Sequence, residues 1–421
     1  MIKLSVGRTA LGTLLGLLFL LPTGRCQDDT FTTGNEIVRS GYAGDAACAS
    51  CHQMQTTKYA STAHHLASQL PSLSAILGSF REGSNVLRIV DLVNREGEPA
   101  LYFKMELRGN SFFETAVTGD SLRQQQRSER IDLITGSGKR GQTYLYWQGE
   151  RLFELPVSFW TDGRLWINSP GYTDGTADFA RPVLPGCLEC HATFLEPLSS
   201  NPATNRFRRE SFVPGISCET CHGAGATHVT LERERKTRGV TQKEIARGEI
   251  LNPAKFSRDR QVDLCAVCHS GIQREPLSPA FSYIPGRPIS EFYKPISSEA
   301  AEHPDVHGNQ VGLLRRSRCY SSSPQMSCST CHNTHAPGIE AASYSARCMT
   351  CHQWQSCGVS AKLGPSIQSQ CIACHMPTEP TMAIVSETAG RLTQATMRNH
   401  WIKVYPEVSR TITERLGNPP K

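Results

Sequence analysis

Past Pro22 the 421-residue chain has no apolar run approaching the roughly 20 residues that a membrane-spanning helix needs, so no second span is expected. It also lacks a dominant sign of charge. Lys and Arg number 44 against 38 Asp and Glu, a formal net charge of +6 that is unremarkable for a soluble globular protein. A phosphate-binding loop is missing too. Gly136-Ser-Gly-Lys-Arg-Gly141 has neither the spacing nor the following Ser or Thr of such a loop and reads as a plain connection. What the chain has in excess is cysteine. Seventeen Cys would be unusual in a reducing cytosol, where thiols serve mainly metal or redox sites.

The N-terminus indicates the compartment. Lys3 and Arg8 precede an apolar run from Thr9 to Pro22, and polar residues follow at once. That order and length predict a secretory signal peptide over residues 1–26, export to the periplasm, and a mature chain that is soluble or only peripherally attached to a membrane. An uncleaved anchor is the alternative, because no clean small-x-small site precedes Gln27. Arg25 makes the context of Cys26 a poor lipidation signal.

One short element recurs seven times. It stands as Cys48-Ala-Ser-Cys51-His52, Cys187-Leu-Glu-Cys190-His191, Cys218-Glu-Thr-Cys221-His222 and Cys265-Ala-Val-Cys268-His269. It returns as Cys328-Ser-Thr-Cys331-His332, Cys348-Met-Thr-Cys351-His352 and Cys371-Ile-Ala-Cys374-His375. C-x-x-C-H is the attachment signature of c-type haem. Two thiols three positions apart reach both vinyl groups of one porphyrin, and the next residue binds iron as the proximal ligand. A single copy is weak evidence, since zinc sites and thioredoxin-like pairs share the C-x-x-C core. Multiplicity decides: the pattern consumes fourteen of the 17 Cys and seven of the 14 His, and a zinc protein would not demand His after every pair. Seven covalently attached haems c are expected.

Seven histidines lie outside the motifs: His64, His65, His228, His303, His307, His335 and His400. Their number equals that of the irons needing a sixth ligand. His335 is too close to His332 to share its iron, so it should reach a neighbouring haem. His228 follows two glycines that permit a tight turn against a porphyrin face. His400 as a ligand would tie the C-terminal segment to the core. His64 and His65 sit on a segment, Gln53 to Leu70, that reads as a helix, where adjacent side chains point about 100° apart. They serve two haems, or only one of them binds; His303 and His307 pose the same question. A pair that supplies a single ligand leaves an iron open. Met376 reads as a packed turn before Pro377. Cys319 and Cys357 are left over, and a disulfide between them is one possibility.

Motif spacing divides the chain into an N-terminal haem-one segment (27–82), a β-rich insert (83–182) and a six-haem cytochrome domain (183–421). In the insert, Val86 to Val93, Ala100 to Leu107, Ser111 to Val117, Thr143 to Trp147, Leu152 to Phe159 and Arg164 to Asn168 read as antiparallel strands. The fold class is therefore mainly α and irregular, a haem-packed multihaem cytochrome c with an inserted antiparallel β-rich module.

The C-x-x-C-H array, the Cys221-His222-Gly-Ala-Gly-Ala-Thr-His228 element and the Cys331-His332-Asn-Thr-His335 element resemble the superfamily of periplasmic multihaem cytochromes that includes the nitrifiers' tetrahaem cytochrome c and hydroxylamine oxidoreductase. Residues 130–190 and 300–335 resemble an uncharacterised bacterial branch, some members of which carry tetratricopeptide repeats that this chain lacks. The resemblance implies close-packed haem pairs and electron transfer. No C-x-x-C-K occurs, so the lysine-ligated haem of pentahaem nitrite reductases is absent.

The expected function is periplasmic electron transfer through closely packed, mostly bis-His haems, with a quinol-oxidising membrane complex or a terminal reductase as redox partners. Bis-His ligation lacks the Met ligand that raises potential. Haem propionates add about 14 negative charges, so the net charge becomes roughly −8 and the basic pI does not indicate nucleic acid. Arg206-Phe-Arg-Arg209, Arg315-Arg316 and Arg318 are expected to pair propionates or a partner surface. The alternative is a multihaem oxidoreductase with one five-coordinate haem acting on a small nitrogen or sulfur compound, its pocket lined by Tyr144, Tyr146 or Trp160. The sequence favours electron transfer over catalysis and assigns no catalytic residue.

Overall fold

The computed structural model describes residues 39–417 except 91–100, 120–123, 240, 242, 245–247, 272–274, 296–302 and 305–308. The expected signal peptide, Cys26 and His307 lie outside the described residues, as do residues 91–93 and 100 of the expected strands.

Alternation of apolar and polar residues builds two antiparallel sheets. The first has the order β2 (Val86–Val90), β3 (Leu101–Arg108), β4 (Ser111–Thr118) and β5 (Gln125–Arg130). The second has the order β1 (Ser68–Gln69), β6 (Leu133–Thr135), β7 (Gly141–Gln148), β8 (Arg151–Trp160) and β9 (Leu165–Asn168). Along β3, Leu101, Phe103 and Met105 turn inward while Tyr102 and Lys104 do not. They share one apolar core with Tyr144, Leu155, Val157 and Trp166 of the second sheet. β5 reads Gln-Gln-Arg-Ser-Glu-Arg and escaped the sequence reading because, as an edge strand, it buries no apolar residue.

The β-rich region also recruits strands from outside 83–182. β1 pairs Ser68 with Thr135 of β6. A late hairpin, β12 (Thr378–Thr388) and β13 (Arg391–Arg398), turns through Ala389 and Gly390, both at positive φ, as a tight hairpin turn requires. It docks on β9, where the Asn168 N–H donates to Thr388 Oγ1 at 2.9 Å and the Ser386 hydroxyl donates to the Asn168 carbonyl at 2.7 Å. Between these regions β10 (Ala192–Phe194) pairs with β11 (Val213–Pro214).

The haem-motif regions are short helices and loops. Each motif occupies about one helical turn, with the His52, His332 and His352 N–H groups donating to the carbonyls of Cys48, Cys328 and Cys348 at 2.8–2.9 Å. One turn sets cysteines three apart on the same face. The expected helix over Gln53 to Leu70 ends at Tyr59 instead. There the Thr62 hydroxyl donates to the Tyr59 carbonyl at 2.7 Å and accepts the His65 N–H at 3.2 Å, so a side chain competes for the backbone groups that would continue the helix. His64 and His65 therefore stand on turns. Among the described residues no helix is long and apolar enough to cross a membrane.

Candidate functional site

Where a side-chain core would normally lie, the motif helices enclose a branched cavity of about 2860 Å³. Its walls carry all fourteen motif cysteines and all seven motif histidines, together with His64, His228, His335 and His400. His65 and His303 stand off this wall: His65 Nδ1 lies 3.7 Å from Asp45, and exposed His303 lies 3.0 Å from Glu379. Cys319 and Cys357 are both free thiols on the wall, so the possible disulfide between them is not formed. Met376 is buried at the end of its motif helix, as expected for a packed turn.

Three of the motif imidazoles are held by Nδ1 bonds to backbone carbonyls. His191 Nδ1 donates to the Ala67 carbonyl at 3.3 Å, His222 to Leu251 at 2.8 Å and His375 to Lys403 at 2.9 Å. Outside the motifs, His400 Nδ1 donates to the Arg398 carbonyl at 3.0 Å. A donating Nδ1 fixes the tautomer and leaves the Nε2 lone pair free. Burial, assisted by the neighbouring His269 and His332 rings, pulls the His64 imidazole down to about 4, and burial pulls His400 to about 4 as well. Both rings are thus neutral, the form that binds metal.

Three imidazole pairs face each other across the cavity. His64 and His269 have ring centres 6.0 Å apart with planes at 72°, His222 and His335 5.9 Å at 30°, and His332 and His400 6.3 Å at 27°. The backbone around His64 is pinned from the far side. Its carbonyl accepts the Ile216 N–H at 2.9 Å, and Gly215, at φ +62°, packs so closely that a Cβ would come 2.0 Å from the His65 carbonyl oxygen. Ala67 O receives both the Gly136 N–H at 2.8 Å and the His191 ring, so β6 and its turn reach two sites through one short segment.

Motifs meet in pairs. The thiols of Cys48 and Cys218 are in hydrogen-bond contact, as are those of Cys265 and Cys328 and of Cys348 and Cys371. Cys190 Sγ lies 3.9 Å from the Val267 carbonyl, and Cys268 Sγ 4.0 Å from that of Glu189. These are juxtaposed pairs of motifs and not four-ligand cages: among the described residues no cluster of three or more His, Cys, Asp or Glu is arranged to hold a bare metal ion.

Residues 172–223, which include the second and third motifs, match the family described as cytochrome c554 and c-prime. A polyhaem c-type cytochrome of Geobacter sulfurreducens, OmcC, is 26% identical over an alignment covering 35% of this chain and 20% of that protein. In these segments the chain is similar to multihaem c-type cytochromes. It spans about a fifth of the length of that relative. Its fold is similar to that of the outer cell wall cytochrome OcwA, with a TM-score of 0.53 at 16% identity, covering 88% of this chain and 82% of the other.

The residues of the chain fit haem. An iron between two nitrogens about 2 Å away, each about 1.1 Å from its ring centre, would put coaxial imidazoles about 6.2 Å apart, close to the spacing of the three pairs. One other expectation is corrected. Tyr144 and Tyr146 do not line this cavity, being closed inside the core shared by the two sheets, whereas Trp160 does stand on its wall. Arg206 and Arg208 pair with Glu150 and Glu196 at 2.5 and 2.7 Å, and Arg209 lies 3.7 Å from Asp132. Arg316 stacks 3.8 Å over Trp401. The sequence reading missed Asp45, Glu189 and Glu219. The signal for the last two was a carboxylate placed inside a C-x-x-C-H turn that must face a porphyrin.

Proposed function

We propose that the cytochrome is an exported electron carrier that holds seven haems c, one per motif, with mostly bis-His iron. The haem, when bound, supplies a reversible one-electron iron centre. The protein holds each group by two cysteines and a histidine, keeps the His64 and His400 imidazoles neutral and sets neighbouring attachment turns side by side. The three facing imidazole pairs carry this reading: His64 with His269, His335 with His222, and His400 with His332. His65, His228, His303 and His307 are the remaining candidates opposite His52, His191, His352 and His375.

The attachment turns fall into three groups: motif one with three, motifs two and five on either side of four, and motif six with seven. A quinol-oxidising membrane complex or a terminal reductase is the partner class. The signal-like N-terminus favours the periplasm, and the nitrifier tetrahaem and hydroxylamine oxidoreductase superfamily is the closer kinship we infer.

The test is low-temperature electron paramagnetic resonance of the oxidised holoprotein with iron quantified. Seven irons per chain, all low-spin, are expected. A stoichiometric high-spin signal that shifts with nitrite, hydroxylamine or sulfite would instead establish the open-haem oxidoreductase. One observation keeps that second reading in view: among the described residues no imidazole stands opposite His191 at the spacing of the three pairs, while Trp160 and Arg181 share its cavity.

A further inference from the structure

The attachment turns of motifs one and three cap one another. Glu219, the first residue between the cysteines of motif three, is 1% exposed. One of its oxygens accepts the N–H groups of Ala43 at 2.7 Å and Gly225 at 2.8 Å, and the other accepts that of Gly44 at 2.9 Å. Ala43 and Gly44 lead into the Asp45–Ala49 helix that opens motif one. In return Asp45, the first residue of that helix, accepts the N–H of Cys218, the first residue of the Cys218–His222 helix, at 3.0 Å. Each turn thus lends a carboxylate to the free N–H groups at the start of the other. Between the two caps the Cys48 and Cys218 thiols touch.

We propose that Asp45 and Glu219 are positioning residues forming a reciprocal clamp that fixes the haem of motif one against that of motif three and holds the potentials of this pair down. The proposal rests on haem attachment at both motifs. The clamp acts in two ways. The carboxylate bridges cross between the turns in both directions, so their relative position is set by hydrogen bonds to carboxylates. Two negative charges beside a pair of irons also favour the ferric over the ferrous state, most strongly from Glu219, where burial limits screening.

Glu219→Gln keeps the shape but turns an amide NH2 toward one of the three N–H donors. Asp45→Asn does the same at a half-exposed site that tolerates change. Both holoproteins are titrated spectropotentiometrically and by electron paramagnetic resonance, with Glu407→Gln, remote on the C-terminal helix, as control. Haem content by mass on the same samples tests the attachment reading separately. The expected result is full haem content and, for two haems, a shift of about tenfold toward the reduced form at fixed potential, about 59 mV for one electron. A changed magnetic coupling between those two ferric centres should accompany it. Should Glu219→Gln fail to assemble, Asp45→Asn decides alone. Unchanged potentials and coupling in a fully loaded Asp45→Asn variant would overturn the clamp.

Discussion

At the residue scale, the three facing imidazole pairs differ in one measurable respect. The planes of His64 and His269 are near perpendicular at 72°, whereas those of the other two pairs lie at 27° and 30°. Perpendicular axial rings make the iron dxz and dyz orbitals nearly degenerate and give a strongly anisotropic low-spin signal; near-parallel rings give a rhombic one. His64→Ala is expected to remove one anisotropic signal, and His335→Ala one rhombic signal, each replaced by one high-spin iron with haem content intact. Loss of the same signal in both variants would show that the two residues do not serve different irons. The motif cysteines and histidines could be found in the sequence because thioether attachment demands a fixed local spacing. The partners of the histidines outside the motifs could not, since His64 meets His269 only through the fold.

At the element scale, β8 carries a carboxyl toward the cavity. Burial raises Glu154 to about 7, and Arg181, 3.4 Å away, offsets only part of that effect. The usual value is 4.5, so between these pH values the folded chain binds a proton that the unfolded chain has released. Stability contributed by this group is therefore full below about pH 4.5, falls as pH rises toward 7 and levels off above it. Glu154→Gln should abolish that slope, so the urea midpoint of the variant relative to wild type should rise between about pH 5 and pH 8. A difference independent of pH would show that Glu154 does not titrate in this window. Strands such as β3 and β7 could be read from alternation. The edge strand β5 and the docking of the late hairpin on β9 could not, because neither requires an apolar pattern of its own.

At the scale of the whole molecule, two kinds of interior coexist. The sandwich is filled with its own side chains, among them Phe103 and Met105 at 0% exposure, while the motif helices enclose a cavity that their own residues leave open. The Ala226–Thr237 and Cys328–Cys331 helices bury no residue at all. Expression without haem attachment should therefore leave the β-rich part folded and the motif region labile. Limited proteolysis is expected to cut first between residues 217 and 375 and to spare β3 to β9. Equal resistance in both regions would show that side chains alone support the helical part.

The sequence by itself determined what is local along the chain: the seven C-x-x-C-H turns, the expectation of export and most strands of the two packed sheets. Tertiary structure alone decided which imidazoles face each other, which motifs are neighbours and what Asp45 and Glu219 hold. The physical reason is the range of each interaction. A thioether site needs residues within one helical turn, whereas facing imidazoles, hydrogen bonds to carboxylates and sheet docking join groups that only the folded chain brings together.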